Sequence, residues 1–132
     1  MKTRILLLLI PLVIAIVTVG AQLKPLPPKL DTAALMKSKL TASQKVLEGI
    51  ATENYTSIAR NANLLVGYSQ AAGWMIQQSP DYQRFTLDFR RQASNLAQAA
   101  RKQNVDAATV AYFQMTVSCV NCHKFIRSDN IL

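Results

Sequence analysis

The sequence predicts an all-α protein, an up-down-up-down four-helix bundle, from three observations. Apolar residues recur at intervals of three and four through most of residues 31–132, as on the buried face of a helix. No segment alternates apolar and polar residues as a half-buried strand does. Beyond position 30 the only proline is Pro80, which falls between two periodic segments. Helices of about twenty residues joined by short turns are typical of such a bundle.

Residues 1–21 have the pattern of a secretory signal peptide. Lys2 and Arg4 precede an apolar run over 5–19, and small residues end at Ala21, after which cleavage is predicted. The run is shorter than the ~20 residues that a membrane-spanning helix needs, so cleavage is favoured over retention as an anchor. We therefore expect export across the inner membrane to the periplasm, with membrane contact only if the segment stays uncleaved.

The mature chain is expected to be a tether followed by one domain. Residues 22–30 contain three prolines and no periodicity, which indicates an extended Pro-rich tether. Residues 31–132 are the right length for one small domain, the bundle itself.

The first two helices are predicted from their apolar stripes. The first is expected over 31–52, with a buried stripe of Ala33, Met36, Leu40, Ser43, Leu47 and Ile50. The second is expected over 53–78, with a buried stripe of Ile58, Ala62, Leu65, Ser69, Ala72 and Ile76.

The last two helices have clearer beginnings. Ser79 can cap the third helix, and Pro80 suits its first position. Its predicted stripe is Tyr82, Phe85, Phe89, Ala93, Leu96 and Ala100. A turn at 104–106, with Asp106 as cap, precedes the fourth helix. Its predicted stripe is Ala108, Tyr112, Met115, Cys119, Cys122 and Ile126.

A single motif near the end of the fourth helix contains all the cysteine and histidine of the chain. It is Cys119-Val120-Asn121-Cys122-His123. Cys-x-x-Cys-His is the attachment pattern of a covalent haem c, in which two sulfurs form thioethers and the imidazole binds iron. The three side chains share one side of a helix, because residues three and four apart are neighbours there. We predict one haem, held by Cys119 and Cys122 with His123 as proximal iron ligand.

Other interpretations of the motif are weaker. A redox dithiol is usually set in a βαβ unit, and no strand pattern precedes this one. A zinc site needs a second pair of Cys or His ligands, which the chain lacks. A disulfide between residues three apart in a helix has poor geometry.

The motif and the layout together resemble the class II cytochromes c, the cytochrome c prime family. Members are secreted four-helix bundles with the haem motif on the last helix. The arrangement of helices resembles the family over the whole mature domain. The resemblance in sequence is specific only over Cys119 to Arg127, which reads Cys-Val-Asn-Cys-His-Lys-Phe-Ile-Arg. The resemblance implies that Arg127 lies on the proximal side of the haem. The alternative is that Arg127 only complements the helix dipole.

The resemblance also implies that the first helix covers the distal face of the haem. Met36 is then the expected sixth iron ligand, and the alternative is that Leu35 or Met36 only packs there. The chain departs from the family at Thr32, where an Arg near a propionate is usual. The lysines that could serve the propionates instead are Lys29, Lys37 and Lys39.

The predicted function is one-electron transfer by a periplasmic monohaem cytochrome. The alternative is a five-coordinate haem protein that binds nitric oxide or carbon monoxide. No acid–base pair accompanies the motif, so we do not expect an enzyme.

The predicted partners are redox proteins. Cleavage after Ala21 removes Lys2 and Arg4 and lowers the net charge from +8 to +6. This positive excess can steer docking onto an acidic partner, while the scattered basic residues argue against nucleic acid. The resemblance implies a homodimer through the first two helices, where Leu64 and Val66 could extend the apolar surface.

Overall fold

The protein is a bundle of four α-helices. The computed structural model describes residues 31–72 and 79–128, and no strand occurs in these ranges. The helices are α1 (Thr32–Ala51), α2 (Tyr55–Ala72), α3 (Pro80–Arg101) and α4 (Val105–Ser128). The predicted all-α class is therefore confirmed. The predicted signal peptide, tether and end of the second helix (73–78) lie outside the described residues.

Each helix packs against the next one in the chain, and α4 closes the ring by contacting α1. The contact between α1 and α4 is much sparser than the other three. We call this loosely closed boundary the α1–α4 seam. Among the described helices, none combines the length and apolarity needed to cross a membrane.

The turns that join α1 to α2 and α3 to α4 are built alike. Glu53 and Gln103 have positive φ angles of 50° and 52°, a left-handed conformation that reverses the chain just after each helix. The backbone N–H groups of the asparagines that follow donate to Gly49 and Ala99 five residues earlier, at 2.8 and 3.1 Å. These bonds satisfy carbonyl groups that the helix ends would otherwise leave unpaired.

The asparagine in each turn also caps the helix that follows. The Oδ1 atom of Asn54 accepts the Ser57 N–H at 3.0 Å, and Oδ1 of Asn104 accepts the Ala107 N–H at 2.8 Å. The predicted start of the second helix at 53 was two residues early. The prediction that Asp106 caps the fourth helix was wrong, since Asp106 lies within its first turn.

The third helix begins as predicted. The Ser79 Oγ accepts the Tyr82 N–H at 3.2 Å, and Pro80 occupies the first helical position. Most of its predicted stripe is buried, with Phe85 only half-buried. In α2 the described part of the predicted stripe is buried at Ile58, Ala62, Leu65 and Ser69.

The predicted stripe of the first helix was wrong by one position. Leu40 and Leu47 are 61% and 51% exposed. The buried residues of α1 are Leu35, Ala42, Val46 and Gly49. The helix carries two apolar rows on adjacent sides, and close packing decides between them. A Cβ on Gly49 would lie 2.9 Å from Cγ1 of Ile58, so the row with the glycine is the one that approaches α2.

Candidate cofactor attachment site

The cysteines lie side by side on α4, in the half of the bundle away from the two asparagine turns. Cys119 and Cys122 are both half-buried and both free. His123 and Arg127 are exposed on the same helix. His123 follows Tyr112 by three helical turns, so both lie on one side of α4. That side faces α1, because the hydroxyls of Tyr112 and Ser43 are 3.4 Å apart across the seam.

The same hydrogen bond sets which residues of α1 are level with the cysteines. The two helices run in opposite directions. A residue two turns before Ser43 on α1 is therefore at the same height in the bundle as a residue two turns after Tyr112 on α4. Met36 is therefore level with Cys119. Met36 is half-buried along the seam, whereas Leu35 is buried in the bundle. The structure thus places Met36 level with Cys119, but off the buried row on which it was expected.

Lys39 is the charged residue on the buried side of α1. Its Nζ atom lies 5.0 Å from the centroid of the Phe89 ring, on the helix diagonally across the bundle. Burial lowers the pKa of Lys39, and the charge of Arg90 adds to this effect. Ionised Cys119 and Cys122 would raise it. The charges of Lys39 and of the two thiols thus influence one another.

Burial also controls the chemistry of the two thiols. It raises the pKa of Cys119 and of Cys122, and the nearby Lys39 ammonium offsets only part of that effect. Redox dithiols have the opposite property, because their attacking cysteine has a lowered pKa. The burial of the two thiols therefore disfavours the dithiol interpretation.

Buried hydroxyl groups distinguish this half of the bundle from the other. Toward the turns the core is apolar, with Val46, Ile58, Leu96 and Ala108 fully buried. Toward the cysteines it also contains buried Ser69, Thr86 and Ser118.

Two of these hydroxyls have ordinary partners and one does not. Thr86 and Ser118 donate to backbone carbonyls of their own helices at 2.9 and 3.2 Å. Ser69 is 1% exposed, and within residues 31–72 and 79–128 its Oγ atom has no hydrogen-bond partner. A buried unpaired hydroxyl costs about 1–3 kcal/mol.

Ser69 on α2 is at the same height in the bundle as Lys39 on α1. Gly49 and Ile58 adjoin where α1 meets α2, and three turns from that point lie Ser38 on α1 and Ser69 on α2. The unpaired hydroxyl is thus at the height of Lys39, about one turn from the level of Cys119.

The end of the site is closed by aromatic residues. The rings of Phe85 on α3 and Phe125 on α4 have centroids 5.5 Å apart and are tilted by 47°. Ile126, the residue after Phe125, is buried. This contact fixes the last turns of α4, on which the cysteines and His123 are carried.

These residues are suited in type and position to a covalently attached haem. Two free thiols on one side of a helix border the most open boundary of the bundle, and the chain's imidazole follows at the next position. Leu35, Met36 and Phe89 would supply apolar side chains to a porphyrin held there. Two surface grooves of about 460 and 420 Å³ lie along α1 and α2, and neither is lined by Cys119, Cys122 or His123.

Comparison with known protein families, curated proteins and solved structures finds no match to this chain. The interpretation of the site therefore depends on its own residues. Sequence reasoning missed the buried position of Lys39, which it treated only as one of three propionate candidates. The signal was present in the spacing Leu35, Lys39, Ala42, Val46 and Gly49.

Proposed function

We propose that the protein is a c-type monohaem cytochrome that transfers single electrons in the periplasm. The observation that carries this proposal is the position of the two free, half-buried thiols on the seam side of α4, with His123 immediately after them. A haem bound there supplies an iron that cycles between the ferrous and ferric states.

Each residue of the motif has a separate task in this proposal. Cys119 and Cys122 hold one edge of the porphyrin through thioether bonds, so the group cannot dissociate. His123 binds the iron from the proximal side. Arg127 lies one turn further along the same helix, where its charge also complements the negative end of the dipole of α4. We also propose that the protein belongs to the cytochrome c prime family.

The context of the chain supports an exported electron carrier. The N-terminal pattern of residues 1–21 predicts secretion, and covalent haem is attached outside the bacterial cytoplasm. The positive net charge suits docking to an acidic redox partner.

The deciding experiment is haem retention after denaturation. The full chain is produced in a host that matures c-type cytochromes, unfolded, and tested by the pyridine haemochrome assay and by mass. We expect one haem on the wild type and none on Cys119→Ser/Cys122→Ser. Thr116→Ser, an exposed change on the same helix, should retain the haem. Haem that leaves the denatured wild type, or stays on the double variant, would contradict the proposal.

A second function is supported by one observation. Leu35 is buried where α1 faces the core, while Met36 is only half-buried. An apolar distal residue leaves the iron five-coordinate and open to nitric oxide or carbon monoxide. The absorption spectrum distinguishes the two functions, because the carrier is low-spin and the gas-binding protein is high-spin.

A further inference from the structure

The side of α4 that points away from the core carries a row of large apolar residues. Its four members are separated by three, four and three positions, so they lie along one side of the helix. Each of them is between 42% and 69% exposed. The buried residues of α4 lie on the opposite side of the helix. We call the exposed set the outer row, and its members are Val110, Phe113, Val117 and Val120.

The spacing of the outer row is that of a contact between two helices. Single exposed apolar residues are ordinary on a protein surface, and Leu87 on α3 is an example. A row that alternates steps of three and four positions is instead typical of the seam of a coiled coil, where each apolar side chain packs against the partner helix. The row is about 15 Å long from Val110 to Val120. It therefore indicates another helix as its partner.

Opposite charges continue the outer row at its two ends. Asp106 comes four positions before Val110, and Lys124 comes four positions after Val120, so both lie on the same side of α4 as the row. Both residues are exposed. The salt bridges within residues 31–72 and 79–128 join other residues, so neither charge has an ion-pair partner there. A partner that matches the whole row needs a cation at one end and an anion at the other.

A second copy of α4 meets this requirement. From Asp106 to Lys124 the steps are four, three, four, three and four, so the spacing is the same in both directions along the helix. Two antiparallel copies therefore align every position of the row with another, and a two-fold axis repeats each pair. The pairs, each between one copy and the other, are Asp106 with Lys124, Val110 with Val120 and Phe113 with Val117.

Other alignments of the same two helices fit less well. A parallel pair would place Asp106 opposite Asp106 and Lys124 opposite Lys124, and like charges in such positions repel. An antiparallel pair shifted by one heptad would place either Asp106 opposite Val117 or Lys124 opposite Phe113. A charge buried against an apolar side chain is costly. The unshifted antiparallel pair is the alignment that the residues favour.

The α1–α4 seam adds apolar surface beside the outer row. Leu40 and Leu47 are exposed, and they lie three positions before and four positions after Ser43, on the same side of α1. That side faces α4, because Ser43 contacts Tyr112. Leu40 is therefore near the level of Met115, the midpoint of the outer row.

We propose that the outer row of α4 is the interface of a homodimer, in which two copies of α4 pack antiparallel about a two-fold axis at the level of Met115. The two acid–base pairs at the ends fix the direction and the alignment of the helices, and the apolar residues between them supply the burial. This interface differs from the one through the first two helices that the family resemblance implies. It is also independent of the proposed function, since none of its residues is assigned to the haem.

The first test measures the dimer dissociation constant of the mature holoprotein by sedimentation equilibrium. Phe113→Glu places a charge near the middle of the outer row and should raise the constant at least about a hundredfold. Leu87→Glu is the matched control, because it adds the same charge at an exposed apolar position of α3. Leu87 is two positions from Phe85, which contacts α4, so it lies on the other side of α3. The control should change the constant less than about twofold.

The second test reverses the charges at the ends of the row. Lys124→Glu creates two contacts between like charges and should weaken the dimer about tenfold. Asp106→Lys/Lys124→Glu exchanges the charges and should restore the wild-type constant to within about twofold, because each pair is again opposite in sign. A double variant as weak as Lys124→Glu, or no effect of Lys124→Glu, would overturn the antiparallel pairing.

Three further results separate the possible interpretations. A monomeric wild type would overturn the inference and leave the outer row to a different partner. A dimer that survives Phe113→Glu but dissociates in Leu64→Glu would also overturn it, since that dimer uses the first two helices. A dimer without covalent haem would support this inference and contradict only the proposed function.

Discussion

Gly49 and Ile58 pack tightly against each other between α1 and α2, because a Cβ on the glycine would lie 2.9 Å from Cγ1 of the isoleucine. Ile58 is fully buried, so its side chain has no solvent into which it can move. The carbonyl oxygen of the same glycine accepts a hydrogen bond from the Asn54 N–H in the turn, at 2.8 Å. Side-chain packing and the turn therefore depend on one position.

Gly49→Ala should destabilise the protein by about 1–3 kcal/mol, since overpacking forces buried groups apart. Gly67 provides the matched control, because a Cβ there would meet nothing within 4 Å. Gly67→Ala should stabilise the helix by about 0.5–1 kcal/mol. Urea unfolding of both variants measures these changes. Equal effects at the two positions would show that α1 and α2 are not in close contact at Gly49.

His123→Gly should leave the haem attached and change its spectrum, because the chain has no other imidazole. Added imidazole should restore part of the wild-type spectrum by binding in the vacated space. Lys124→Gly places the same flexible residue at the next exposed position and should leave the spectrum unchanged. If His123→Gly has the wild-type spectrum, the iron takes its proximal ligand from elsewhere.

Met36 is predicted to bind the iron, which gives a low-spin ferrous spectrum with sharp, split visible bands and slow carbon monoxide binding. Met36→Leu should produce a high-spin protein that binds carbon monoxide rapidly. Met115, fully buried in the core of α4, is the control, since Met115→Leu should alter stability without changing the spin state. A wild type that is already high-spin would favour the gas-binding function and assign Met36 to packing beside Leu35.

The thiol of Cys119 should make the stability of the unattached protein depend on pH. Its pKa is raised from 9.0 in the folded chain, chiefly by burial, so the folded state holds the proton more tightly than the unfolded state. The contribution to stability is complete below pH 9.0 and is lost as the pH rises through the folded pKa.

Urea unfolding between pH 8 and 11 measures this contribution, with Cys119→Ser for comparison. The stability of the wild type relative to Cys119→Ser should fall across the alkaline part of that range. A constant difference would mean that the thiol titrates alike in the folded and unfolded chains.

Much of the fold could be predicted because the signals are local. Ser79 and Pro80 define the start of α3 through groups within one turn, and that prediction is confirmed. The all-α class follows from periodicity alone. The turn before α4 was harder, since Asn104 and Asp106 are both good caps, and only the chain path selects Asn104.

The first helix shows where local signals fail. Its two apolar rows are one residue apart, and the sequence gives no reason to prefer the row with Gly49 and Lys39 over the row with Leu40 and Leu47. Packing against Ile58 makes the choice, and Ile58 belongs to another helix. The half-buried position of Lys39 was missed for this reason, because a lysine is normally assigned to the solvent side.

The sparse contact between α1 and α4 has a consequence for the order of folding. Ser43 and Tyr112 are 69 positions apart in sequence, whereas the α1–α2 and α3–α4 pairs are joined by turns of a few residues. Contacts between distant segments form late, because the chain entropy lost in closing a long loop must be overcome first. We therefore expect both hairpins to assemble before the seam closes. During that interval α1 does not yet cover the side of α4 that carries Cys119 and Cys122, so under the proposed function both thiols would be accessible for the attachment of haem.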